Sequence, residues 1–180
     1  MRHFNRGIAL AALTLSALAF AHPDSRTLVK FEGAIGADPL TAAGGVDVLN
    51  VVRGVSPGGR AWILRRLTAA VGKSGHIFAR GSGLLLASGD VIGTVGPVTQ
   101  VLATLACGPA VTPLLFHSAP AALDASGNFR IDSALTQDGV NPAVLPPTCD
   151  NPALLIRAAG ANGAPGPWFA AGIPDLDDHD

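Results

Sequence analysis

Apolar and polar residues alternate along this chain in short runs, each cut off by Gly, Pro, Asn or Ser. "TLVKFEG" (27–33) alternates, and so does "VDVLNVVRG" (46–54), with Val46, Val48, Asn50 and Val52 on one side. "SPGG" (56–59) reads as a turn, "AWILRRLTAAV" (61–71) as the next strand, "GKSG" (72–75) as a second turn and "HIFARGSGLLLA" (76–87) as the return. A Gly-rich loop, "SGDVIGTVGP" (88–97), leads into "VTQVLATLAC" (98–107), where Val101, Ala103, Leu105 and Cys107 share a face. "VTPLLF" (111–116) contains a proline and reads as an edge or a bend. "AALDASGNFRIDSAL" (121–135) is a hairpin turning at "ASGN"; "ALLIRAA" (153–159) and "WFAAGI" (168–173) follow a Pro-rich loop. "AWILRRLTAAV" alone is compatible with a helix, and its flanking turns and short length favour a strand.

About nine or ten short strands at this spacing predict an all-β fold, an antiparallel β-sandwich, with a β-barrel as the alternative. The expected core is Trp62, Leu64, Phe78, Leu85, Val101, Leu105, Phe129, Ile131, Leu155 and Phe169. Glu32 is the only glutamate, and Lys30 and Lys73 are the only lysines, a composition poor in formers of exposed helix.

The N-terminus points to export. Arg2, His3 and Arg6 precede the apolar run "IALAALTLSALAF" (8–20), and "AFA" (19–21) has the small-x-small form of a cleavage site. Residues 1–21 are therefore expected to be a signal peptide, 22–174 a single all-β domain, and 175–180 an acidic, disordered tail. No later run is long enough for a membrane helix. Cleavage would remove Arg2 and Arg6 and leave a net charge of −3, which argues against nucleic acid as a partner. In an exported chain the two cysteines, Cys107 and Cys149, are expected to form a disulfide. The expected location is secreted or periplasmic.

Four arginines crowd "VVRGVSPGGRAWILRRL" (51–67). Read as a hairpin, it puts Arg53 and Arg60 across the mouth from each other, with Asp47 and Asp90 as candidate partners. Adjacent Arg65 and Arg66 would point to opposite faces, so no basic patch follows from the count. Arg53, Arg60, Trp62 and Trp168 are candidate ligand contacts, for a small molecule or a glycan. A weak echo links "VVRGVSPGGRAW" to "LLIRAAGANGAPGPW", each running from an arginine through a Gly/Pro loop to a tryptophan.

Cleavage after Ala21 would expose His22, whose amine and imidazole suit Cu(II). With a second ligand from His76 or His117 the set resembles the histidine brace of lytic polysaccharide monooxygenases and small periplasmic copper carriers. The absence of tyrosine departs from the axial ligand common in those monooxygenases. "GKSGH" (72–76) lacks the first glycine of a phosphate-binding loop, since position 67 is Leu67. Asp124, Asp132 and Asp138 do not match calcium-loop spacing.

The blocks "RGVSPGGRAWILRRL", "GSGLLLASG", "QVLATLACG", "GNFRIDSAL", "CDNPALLIRAAG" and "WFAAGI" together resemble uncharacterised exported bacterial β-rich proteins of about this size. The resemblance implies a secreted, disulfide-bearing β fold and assigns no activity or site. The functional expectation is a non-enzymatic binding or structural β-domain. The alternatives are a small-molecule or glycan-binding barrel and a copper protein built on His22.

Overall fold

The computed structural model describes residues 26–39, 50–137 and 143–175. Residues 1–21, His22, Val46–Leu49, Asp47, Asp138 and 176–180, on which several expectations rest, lie outside them. The fold is all-β. Nine strands form one antiparallel sheet: β1 (Thr27–Gly36), β2 (Trp62–Gly72), β3 (His76–Leu86), β4 (Gln100–Cys107), β5 (Leu114–His117), β6 (Ala121–Ala122), β7 (Phe129–Ala134), β8 (Ala153–Ala159) and β9 (Pro165–Asp175). The order is β5-β4-β8-β9-β1-β2-β3-β7, with β6 also on β4. A 3-10 turn at Ala161–Gly163 links β8 to β9. The sheet is curled into a half-barrel. Its edge strands approach each other, because His117 and Thr136 exchange both backbone bonds, at 2.9 and 2.7 Å.

Strand positions follow the alternation closely, and the differences have local causes. The segment expected to pair as a strand up to Gly54 is instead a tight turn at Val52–Val55. Arg53 (φ 53°) and Gly54 (φ 76°) take its two central positions. Positive φ at both central residues is the type I′ geometry that suits right-twisted strands. Beyond it the chain crosses β9, where Pro57 bridges Trp168 in parallel; the Ser56 carbonyl accepts from the Trp168 amide and the Gly58 amide donates to the Trp168 carbonyl. The two halves of the sequence echo thus lie side by side.

Arg65 and Arg66 were expected on opposite faces; both are exposed. The β2–β3 ladder omits the Arg65–Gly83 pair, where Gly83 has φ 71°. Buried positions change phase there, from 62 and 64 to 67, 69 and 71 on β2, and from 77, 79 and 81 to 84 and 86 on β3. Glycine's freedom at positive φ permits this kink, and it resets the period-two count. The same shift corrects Leu85, which is half-buried between the core residues Leu84 and Leu86. Phe78 is also half-buried rather than core, with the Arg130 guanidinium 4.8 Å from its ring centre. The other eight expected core residues are buried. Both faces of β4 are buried from Val101 to Cys107. β9 extends to Asp175, so the acidic tail begins no earlier than 176.

The β6–β7 turn is held by Asp124. Its carboxylate accepts from the Ser126 amide at 2.9 Å, the Asn128 amide at 2.8 Å and the Asn128 side chain at 2.9 Å. The Asn128 amide first, then its side chain, holds the carboxyl below its ordinary 3.8. A carboxylate with a depressed folded pKa stabilises above the ordinary value and loses that contribution as pH falls through the folded one. Asp124→Asn should therefore be less stable than wild type at neutral pH, with the gap closing below pH 3.8. Urea midpoints at the two pH values check this. A gap unchanged in acid would mean that the charge of Asp124 is not the cause.

Candidate ligand-binding site

A groove of about 810 Å³ opens where the 58–62 segment, the 91–98 loop and β9 meet. Its floor is aromatic: Trp62 and Phe169 stack with ring centres 4.2 Å apart and planes at 29°. Gly58 lies against both rings; a Cβ there would sit 3.1 Å from Phe169 and 3.2 Å from the Trp62 indole nitrogen. Leu86, Val91, Pro97 and Val98 supply aliphatic walls. The Gly-rich loop owes its shape to short turns: Thr94 Oγ1 donates to the Val91 carbonyl at 2.8 Å and accepts from the Gly96 amide at 3.1 Å, while Gly89 and Gly93 take positive φ.

Besides Thr94, whose hydroxyl is engaged within its own loop, two polar groups serve this mainly apolar wall. Arg60 lines the groove, is exposed, and has no hydrogen-bond or ion-pair partner among the described residues; the expected pairing with Asp90 is not made. The Trp62 indole N–H has no acceptor among those residues and is not sealed from solvent. A single cation and one N–H donor over stacked rings suit a small amphipathic molecule carrying an acceptor or anionic group.

The other two candidate contacts serve the scaffold. Trp168 is buried and its indole donates to the Asn50 carbonyl at 3.2 Å. Arg53 does not face Arg60 across a hairpin mouth, because it sits within the tight turn. Its guanidinium donates to the Gly108 carbonyl at 2.9 Å and to the Asn151 carbonyl. These residues flank the Cys107–Cys149 disulfide, and the Gly108 amide donates to the Asp150 carbonyl at 2.7 Å. The cost of positive φ at a non-glycine residue, of order 1 kcal/mol, is offset by those charge-assisted bonds.

The two histidines proposed as copper ligands flank one strand end: His76 pairs with Ala134 and His117 with Thr136. His76 Nε2 lies 3.4 Å from Asp132, which also pairs with Arg130. His117 Nδ1 is 2.9 Å from Thr104 Oγ1. Among the described residues no three His, Cys, Asp or Glu side chains gather as a metal site, and His22 lies outside them. No helix of these residues is long and apolar enough to cross a membrane.

Sequence reasoning placed Arg60 and Trp62 together because they are near neighbours in the chain. It missed Phe169 and the 91–98 loop as groove walls, since they arrive from β9 and from the far side of β3. It also missed Arg157. The signal was an arginine inside the apolar run "ALLIRAA", where a buried strand carries no charge without cause. The chain matches no family model, no curated protein and no solved structure.

Proposed function

We propose that this chain is an exported, non-enzymatic β-domain that binds a small amphipathic molecule in the Trp62–Phe169 groove. The carrying observation is the Arg60 guanidinium, without a partner among the described residues, in a mainly apolar, aromatic-floored groove. The disulfide supports an oxidising, extracytoplasmic compartment. The backbone bonds between His117 and Thr136 support a barrel rather than a sandwich, because they join the two ends of the sheet's strand order.

Anilinonaphthalene sulfonate, an aromatic body with one anionic group, is the test ligand. It should bind the folded protein saturably, with fluorescence enhancement. Arg60→Gln should weaken binding about tenfold, the scale of one charge-assisted contact. Gly59 lines the groove, has an ordinary φ and nothing within 4 Å of a built Cβ, so Gly59→Leu should fill the groove without straining the fold. Binding that is absent, or indifferent to both variants, would reject this reading.

A further inference from the structure

A second site lies on the other side of Pro167, which lines both cavities. Arg157 projects from β8, directly after the fully buried Leu154, Leu155 and Ile156. It is itself only 8% exposed. Nε donates to the Gly166 carbonyl at 2.7 Å, Nη2 to the Pro165 carbonyl at 3.0 Å and Nη1 to Thr104 Oγ1 at 3.3 Å. All three acceptors are neutral. No carboxylate pairs with Arg157 among the described residues, whose Asp132 ion pairs are with His76 and Arg130. A guanidinium carries five N–H bonds, so two have no acceptor among these residues.

Gripping two adjacent carbonyls needs no charge, and burying a charge without a counter-charge is costly. Burial pulls the Arg157 pKa below the ordinary arginine value, yet a guanidinium remains protonated at neutral pH. Arg53, by contrast, is only half-buried, and its bond to the Asn151 carbonyl lies where water can reach it. The buried cation also borders an open cavity of about 520 Å³, walled by Gly54, Ser56, Leu115, His117 and Pro165 among others. Thr104 joins two of its walls, touching Arg157 on one side and His117 on the other. The cavity is the route by which a counter-charge can arrive from solvent. Sequence order hides this constellation: Thr104, His117, Arg157 and the Gly54–Ser56 turn come from four separate segments.

We infer that the Arg157 cavity is a binding site for a small oxyanion of the phosphate or sulfate type, as the free ion or as the terminal group of a larger molecule. The two N–H bonds left over, one on Nη1 and one on Nη2, can donate to two oxygens of such an anion. This site is separate from the apolar groove, and its occupancy does not depend on the groove's ligand.

The test uses the full exported chain with arginine side chains labelled with ¹⁵N. Inorganic phosphate is titrated against chloride at constant ionic strength, with methyl phosphate and acetate as parallel arms. The Arg157 Nε–H resonance, identified by its loss in Arg157→Lys, should shift and saturate with phosphate. The thermal midpoint should rise with phosphate in wild type, and Arg157→Lys should abolish that rise whatever its own starting stability. Saturation with methyl phosphate as well would identify a terminal phosphate group as an acceptable ligand; saturation with phosphate alone would identify the free ion. An unmoved Arg157 resonance, a preference for acetate, or a midpoint rise that persists in Arg157→Lys would each overturn the inference. Phosphate should leave anilinonaphthalene sulfonate bound, so failure at one site is distinguishable from failure at the other.

Discussion

Gly36→Ala should destabilise the protein by about 3–5 kcal/mol, at the severe end for one added methyl group. The position has no positive φ in its favour, so the penalty is steric. A Cβ on Gly36 would sit 1.8 Å from the Trp62 carbonyl oxygen, 2.7 Å from its carbon and 2.9 Å from the Ile63 Cα. All three are backbone atoms, which cannot rotate away as a side chain can. Gly36 ends β1 where β1, β2 and β9 converge: it pairs with Ala170, the neighbouring Ala37 amide donates to the Phe169 carbonyl at 2.7 Å, and the Trp62 amide donates to the Ala37 carbonyl at 2.8 Å. Moving these strands apart also moves Trp62 from Phe169. Denaturant unfolding should therefore show a large drop in midpoint, and sulfonate binding should weaken in whatever fraction stays folded. A change below about 1 kcal/mol, typical of a tolerated substitution, would contradict this close approach.

Replacing Cys107 and Cys149 together by alanine should cost about 4 kcal/mol, the loop-entropy value for a closed segment of this length. The bridged residues are 42 apart in sequence. For a domain of this size that is a fall of about 10 °C in Tm. The bridge ties the end of β4 to the approach to β8, two strands already paired from Val101–Ala158 to Ala106–Ala153. Its effect should therefore fall mainly on the unfolded chain, which gains freedom, while the folded sheet keeps its register. Arg53 would still hold the Gly108 and Asn151 carbonyls, so the native fold should persist at moderate temperature. Calorimetry of the double variant against the oxidised wild type reads the difference. Equal midpoints would show that the bridge contributes nothing beyond the sheet.

Strand identity was legible wherever one face is wet. In β7, Phe129 and Ile131 are buried while Arg130 and Asp132 are exposed, and the text of the chain reads the same way. The turn at Asp124 was visible as "ASGN", and its hydrogen bonds are local. The reading failed where a single backbone event resets the period, as at Gly83, because period two carries no memory of phase beyond a kink. It failed again at Val52–Val55, where the run looked like a strand but Arg53 accepts positive φ in exchange for two carbonyls 55 and 98 residues away.

The candidate sites divide in the same manner. Arg60 and Trp62 are two positions apart, so their proximity is a covalent fact, and the chain alone also places Cys107 and Cys149 as partners. The roles of the two tryptophans could not be separated from the text. Trp168 satisfies its indole on Asn50 and is structural, whereas Trp62 keeps its N–H open and stacks on Phe169. Arg157 differs more sharply: in sequence it is one arginine among ten, and in the fold it is a buried cation without a counter-charge among the described residues. Local alternation, turn chemistry and the cysteine pair were enough to make this an all-β, disulfide-bonded chain, because each depends on neighbours along the backbone or on pairing arithmetic. Which polar groups lie buried, unpaired or facing a cavity depends on which distant strands the sheet brings together, and that is a property of burial in three dimensions.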